Sequence, residues 1–276
     1  MSDPKLHCGG VSGYYLIEAV KANGESRVLA DWFPNLITNA GLDMLSTGGF
    51  MACCQVGSGT TEPNVLDTAL ASRVAGTTSA SSVTRTATTS APYYTSYTRT
   101  YTFAEGVAAG NLSEVGISAT VDGNLFSRAR ILDGSGNPTT ITVLGDEILR
   151  VTYQLRCYRP VTDQTGTVTI GGVTHDYVCR ASDITYAEEL DIYGFSSYSG
   201  AHSTRVYSGG IGGVTGSPSG TIAPISPPDS GAYTPGSHVR GVSASAPIDQ
   251  GNVAGGIRSA KFSSGAGSFQ VEYDPP

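Results

Sequence analysis

The clearest pattern of apolar and polar positions lies in residues 110–131, GNLSEVGISATVDGNLFSRARI, where two alternating runs flank Val121-Asp122-Gly123-Asn124. Leu112, Val115 and Ile117 can share one face, and Leu125, Phe126, Ala129 and Ile131 resume after the reversal. Asp-Gly between such runs predicts a hairpin, because Gly tolerates the positive φ of a tight turn. A second hairpin is predicted at the start, where residues 14–20 and 26–33 surround Ala22-Asn23-Gly24-Glu25 and Pro34 closes the unit. ILRVTYQLRCY, residues 148–158, is the most regular strand: Ile148, Arg150, Thr152, Gln154 and Arg156 lie on one face, and Leu149, Val151, Tyr153, Leu155 and Cys157 on the other. Further strands are expected at residues 52–56, 93–103, 139–143 and 268–273, with a hairpin over 165–178 about Gly171-Gly172. The helical signal is small. Residues 39–45 are spaced for one or two turns, with Thr38 or Asn39 as cap and Gly48-Gly49 as stop, and residues 67–72 suggest another short turn.

These elements predict a mainly β chain. Residues 1–159 read as a β-sandwich or jelly-roll-like domain, and residues 160–276 as a second β-rich, loop-rich region, the two meeting near residues 159–163. Pro160, which cannot donate to a ladder, marks the boundary. Residues 77–91 form a Ser/Thr tract that suits an exposed strand or a mobile loop. After Ser197, Gly209-Gly210, Gly212-Gly213, Ser217-Pro218-Ser219-Gly220 and the prolines from Pro224 to Pro228 follow closely. That texture predicts an extended arm that neighbouring chains would order.

Composition narrows the class. Of 276 residues, 36 are Gly and 14 Pro, 39% are hydrophobic and only 14% charged, as many short strands joined by turns require. The net charge of −7 with 16 Lys and Arg argues against nucleic-acid binding, which needs dense cations to displace counterions. No run approaches the ~20 apolar residues of a spanning helix, so membrane insertion is not expected. Residues 1–10 have no apolar segment behind their single Lys, so no export signal is expected and synthesis in the cytoplasm is the default. Five Cys (Cys8, Cys53, Cys54, Cys157, Cys179), odd in number and without CxxC spacing, fit reduced thiols. Cys53-Cys54 is expected to place two small half-buried side chains on opposite faces of a strand.

Candidate chemistry is sparse. Gly57-Ser58-Gly59-Thr60-Thr61 has the look of a phosphate loop but has no Lys and no long helix behind it, which excludes a Walker motif. His175-Asp176 could form a general-base pair only if adjacent strand residues faced the same way, which they do not. Glu188-Glu189 and Asp191 read as a solvated acidic turn rather than a Ca²⁺ loop or glycosidase carboxylates. His7-Cys8 has no second pair at metal-ligand spacing. Tyr93, Tyr97 and Tyr101 share a period of two and suit packing, subunit contact or stacking on a sugar. The expectation is a protein that is not an enzyme, with no catalytic, cofactor-binding or metal residues and no cofactor.

The order of short motifs carries a resemblance. Asn35-Leu36-Ile37-Thr38-Asn39-Ala40-Gly41-Leu42 is followed by Val56-Gly57-Ser58-Gly59-Thr60-Thr61-Glu62-Pro63 and Asp67-Thr68-Ala69-Leu70. Phe103 through Ile131, with Ser113-Glu114-Val115-Gly116-Ile117 and Leu125-Phe126-Ser127-Arg128-Ala129, continues the series. Over residues 35–158 this order resembles tail-associated structural proteins of tailed bacteriophages. In that family an Asp-Pro-Pro like Asp274-Pro275-Pro276 runs on into a further strand. The resemblance implies a virion protein of the tail (a fibre, collar or baseplate component), β-rich, homo-oligomeric and assembled in the host cytoplasm. Its partners would be copies of itself and other tail or head–tail junction proteins. The alternative is a receptor- or glycan-binding module of the same tail, motivated by the tyrosines and the Gly-rich loops. A polysaccharide-cleaving enzyme rests only on scattered carboxylates.

Overall fold

Antiparallel strands are the main element of the computed structural model, which describes residues 10–45, 48–170, 172–185, 203–224, 229–230, 233–237, 242–243, 254, 256–264 and 267–274. The chain divides into two compact units. One holds Val11–Arg85 and Ser96–Arg156, and the other takes Met1–Gly10, Thr86–Thr95 and Cys157–Pro276. The sequence expectation placed a single cut near Pro160; the structure instead returns Thr86–Thr95 to the second unit.

The first half of the chain forms β1 (Val11–Lys21), β2 (Ser26–Pro34), β3 (Leu36–Ile37), α1 (Asn39–Met44), β4 (Cys53–Gly57), β5 (Arg73–Thr77) and β6 (Thr84–Ala87). It continues through β7 (Tyr94–Phe103), β8 (Gly110–Leu112), β9 (Glu114–Ser118), β10 (Leu125–Arg130), β11 (Ile141–Val143) and β12 (Glu147–Tyr158). Two five-stranded sheets result, ordered β2-β1-β12-β7-β6 and β3-β10-β9-β4-β5, with β8 and β11 as a small ribbon. β12 alternates buried with half-buried or exposed positions along its whole length, as its sequence predicts. β4 and β9 are buried at every position because both lie inside their sheet with both faces covered.

The core is aromatic and tied by a few hydrogen bonds. Tyr15 packs on Tyr153 and Phe33 at ring separations of 4.9 and 5.7 Å, and its hydroxyl meets Ser127 Oγ of the other sheet at 2.9 Å. Tyr101 donates to the Met51 carbonyl at 2.6 Å, and Phe50 stacks on Phe126 at 4.3 Å. Tyr97 and Tyr101 are fully buried, so these two rings are core and closed to a sugar, while Tyr93, just before β7, is half-buried. Cys53 and Cys54 are both buried, more deeply than the half-burial expected, because β5 and β9 flank β4.

Two local expectations are corrected and two hold. The 125–130 hairpin exists, but its connection is a six-residue loop and Gly123 does not take a positive φ. Its side of the backbone is instead filled by the Thr120 hydroxyl, which a Cβ would strike. The opening hairpin does use a positive φ, at Gly24 (86°). Residues 67–72 form no helix; they are an extended loop. α1 is capped by Thr38, whose hydroxyl accepts from Gly41 N at 2.9 Å.

The later strands are β13 (Gln164–Ile170), β14 (Val173–Ser182), β15 (Ser203–Tyr207), β16 (Thr221–Pro224), β17 (Asp229–Ser230), β18 (Val242–Ser243), β19 (Ser259–Ser264) and β20 (Gly267–Tyr273). Six form one sheet, β13-β14-β20-β19-β15-β16, and β17 pairs with β18. Cys179, Phe269 and Val271 form its small core with Tyr177, Phe262 and Tyr273 against them. Residues 203–224, expected in an extended arm, contribute an inner strand, with Val206 and Tyr207 buried. The remainder of that arm lies largely outside the described residues, as do His7-Cys8, Glu188-Glu189 and Asp191.

Candidate functional site: a closed ion cluster under the glycine loop

The glycine-rich loop that follows β4 does receive an anion, and the anion is the chain's own Glu114. Glu114 opens β9 in the middle of its sheet and is fully buried. Its Oε1 accepts from Gly59 N at 3.1 Å and Ser72 N at 2.7 Å, and its Oε2 from Ala71 N at 3.0 Å. Those backbone donors come from both ends of the loop between β4 and β5. The glycines of Val56-Gly57-Ser58-Gly59 now have a physical reason. A Cβ on Gly57 would sit 2.6 Å from Glu114 Oε1, and one on Gly59 would strike the same oxygen. Within the would-be phosphate loop the Gly59 amide is thus already taken by Glu114 and the Ser58 amide by the Ser72 carbonyl.

Arg128, on the neighbouring strand β10, supplies the cation. Only 2% of its surface is exposed. Its Nε donates to Glu114 Oε2 at 3.0 Å, and Nη2 lies 2.8 Å from the same oxygen. Nη1 donates to Asp67 Oδ2 at 2.6 Å. Nη2 also reaches the Thr61 carbonyl at 3.0 Å and Thr61 Oγ1 at 2.9 Å. Asp67 is fixed in turn by the Asn64 N–H at 2.8 Å. Outside the cluster, Arg130 pairs with exposed Glu62 at 2.7 Å. A planar guanidinium satisfies this geometry where an ammonium would not, because its donors diverge in one plane toward four acceptor atoms.

The cluster fastens the 58–72 loop to the sheet through backbone amides at one side and Arg128 at the other. Leu70, 7% exposed, packs over Gly116 in the same region. Most motifs of the resemblance thus contribute to one region: Gly57, Gly59, Thr61, Asp67 and Leu70 from the loop, Glu114 from β9, Arg128 from β10. Sequence reasoning singled out these segments for their order but assigned neither Glu114 nor Arg128 a role. The signal available was a charged residue inside each of two apolar runs.

A second buried carboxylate behaves similarly. Glu147, 1% exposed, accepts from Arg27 Nε at 3.0 Å and Nη2 at 2.8 Å and from Leu144 N at 2.8 Å. Arg27 and the Leu144 amide hold its carboxyl below the usual carboxylate range, more than burial raises it. An open groove of about 370 Å³ lies beside this pair, lined by Arg27, Asp31, Asp133, Thr139 and Thr142 among others.

The other sequence candidates are apart from any site. His175 Nδ1 lies 3.1 Å from the Asp274 carbonyl, while Asp176 points to the opposite face of β14 and accepts, through its backbone oxygen, from Asp274 N. Among the described residues, no group of three or more His, Cys, Asp or Glu is placed to hold a metal ion. Burial pushes the Cys54 thiol well above its ordinary value and Cys157 up to about 12. No described helix is long and apolar enough to cross a membrane. Comparison with family models, curated proteins and solved structures finds no match to this chain.

Proposed function

We propose that the chain is a structural component of a bacteriophage tail, acting by oligomeric assembly with copies of itself and with other tail or head–tail junction proteins. One observation carries the reading. Of the motifs that resemble tail-associated proteins over residues 35–158, those between residues 56 and 129 meet at the Glu114–Arg128 cluster and build one closed piece of fold. That these segments, distant along the chain, meet in one closed unit supports reading their order as structural. Glu114 and the Arg128 guanidinium are buried and engaged with the chain's own groups, which supports a role in holding the loop. The experiment is mass spectrometry and cryo-EM of purified particles of the phage that encodes the chain. Several symmetric copies in the tail are expected; absence from the particle overturns the reading.

Receptor or glycan binding is the second reading, favoured by the open groove beside Arg27 with its Asp and Thr lining. Its test is a glycan array, followed by Asp31→Ala and Thr139→Ala in any positive case. Retained binding in both variants removes the groove from consideration.

A further inference from the structure

Sheet edges present unpaired backbone groups, and proteins blunt them with charges, prolines, bulges or shortness. Every described edge of this chain carries such a device except one. β2 has two register shifts, the charges of Arg27 and Asp31, and Pro34 at its end. β5 carries Arg73 and a register shift, and β6 has four residues including Arg85. β3 has two residues, β8 and β11 three each, and β17 and β18 two each. β16 has four, a register shift and Pro224. β13 is the exception: QTGTVTI, seven residues, with no charge, no proline and an unbroken register against β14 from Gln164↔Cys179 to Ile170↔Val173. Among the described residues it has a neighbour on one side only.

The register tells which backbone groups are left over. Two residues separate Ile170 from Val173, so that closing pair exchanges both hydrogen bonds, and pairs alternate from there. Val168 and Gly166 therefore bond to β14, whereas the N–H and C=O of Thr165, Thr167 and Thr169 point away from it. The other side of β14 agrees, since Asp176, opposite Thr167, turns its carbonyl to Asp274 N. Thr165, Thr167 and Thr169 are all exposed.

Resting on the assembly reading above, we infer that the β13 edge pairs antiparallel with β13 of a second copy about a two-fold axis through Thr167. The strand is complementary to itself in that register. Thr167 meets its own copy, and Thr165 meets Thr169 of the partner copy. All three outward residues then fall in hydrogen-bonded pairs, and their side chains form Thr–Thr pairs on one face. On the other face Val168 stands opposite Gly166, large against small. An uncharged edge gives a charged foreign strand nothing to pair with, while a second copy satisfies every outward group by symmetry.

The test uses the full chain in sedimentation equilibrium over a wide concentration range. Wild type is expected to double in mass. Thr167→Pro removes an outward N–H that β14 does not use, a place where an edge strand accepts proline. Losing both symmetry-related hydrogen bonds is expected to weaken pairing by about 10-fold or more with an unchanged far-UV spectrum. As a second readout, Thr167→Cys is expected to cross-link to its copy under oxidised glutathione, since a hydrogen-bonded pair sets Cα atoms at about 5.5 Å. Thr174→Cys, exposed on β14, is expected not to. A wild type that stays monomeric, or no cross-link at Thr167, overturns the inference. Association that survives Thr167→Pro overturns the β13 assignment and leaves assembly standing, whereas absence from the particle overturns assembly even where β13 pairs in solution.

Discussion

Replacing Arg128 by Met keeps most of the stem volume and removes the only cation that touches Glu114 among the described residues. The guanidinium is 2% exposed and Glu114 fully buried, so solvent cannot take over its role in the folded state. What remains is a carboxylate held by three backbone N–H groups, with Asp67 and Thr61 left facing an apolar tip. Removing one partner of a buried pair costs about 3–5 kcal/mol. That is roughly two to three and a half powers of ten in the folding equilibrium. With a urea slope of about 1–3 kcal/mol per molar, the midpoint falls by at least about 1 M. Because the loop hangs on Glu114, hydrogen exchange at Gly59, Ala71 and Ser72 speeds up in step with the loss. Glu114→Gln alone is also destabilising, since its amide nitrogen faces backbone donors. The double variant loses less than the sum of the two, by about 0.5–3 kcal/mol, because the pair is gone in each. The assay is urea unfolding followed by circular dichroism, with amide exchange read residue by residue. A midpoint unmoved in Arg128→Met, with the three amides equally protected, refutes the clamp.

Gly41→Ala destabilises by about 1–3 kcal/mol or more, measured by the same unfolding, because the added Cβ meets the Phe126 backbone carbonyl, which cannot step aside. That outweighs the ~1 kcal/mol by which Ala is the better helix former; a gain in stability would show that α1 shifts freely on β10. Glu147 titrates below its unfolded value of about 4.3, so its contribution is present above that pH and is lost as pH falls through the lower folded value. Glu147→Gln is expected to flatten the acid limb of the stability curve, and an unchanged limb counts against the Arg27 pair. Cys53, Cys54, Cys157 and Cys179 are free and buried, so iodoacetamide at pH 8 labels them slowly in the native protein. In denaturant without reductant nearly all five cysteines should react; recovery of only one, or rapid native labelling of Cys157, contradicts this.

Alternation made the strands legible where one face of a sheet is covered more than the other. β12 could be read residue by residue, because Leu149, Val151, Tyr153, Leu155 and Cys157 alternate with polar neighbours. The opening hairpin and the β13–β14 hairpin were equally visible, and the cap narrowed to Thr38 or Asn39, since Asn-Gly, Gly-Gly and a polar residue before a short helix act over a few bonds. Glu114 and Arg128 were not legible. Their strand neighbours are buried on both faces, which erases the period of two, and their partners Gly59, Thr61, Asp67 and Ser72 lie 42 to 67 residues away along the chain. The same long-range demand kept residues 67–72 from closing a helical turn, because the Ala71 and Ser72 amides serve Glu114. Local sequence thus determined which segments are strands and where they turn. Only the tertiary structure decided which buried charges meet and which edge is left open. Those depend on strand order, and hydrophobic spacing within one strand carries no information about its neighbours.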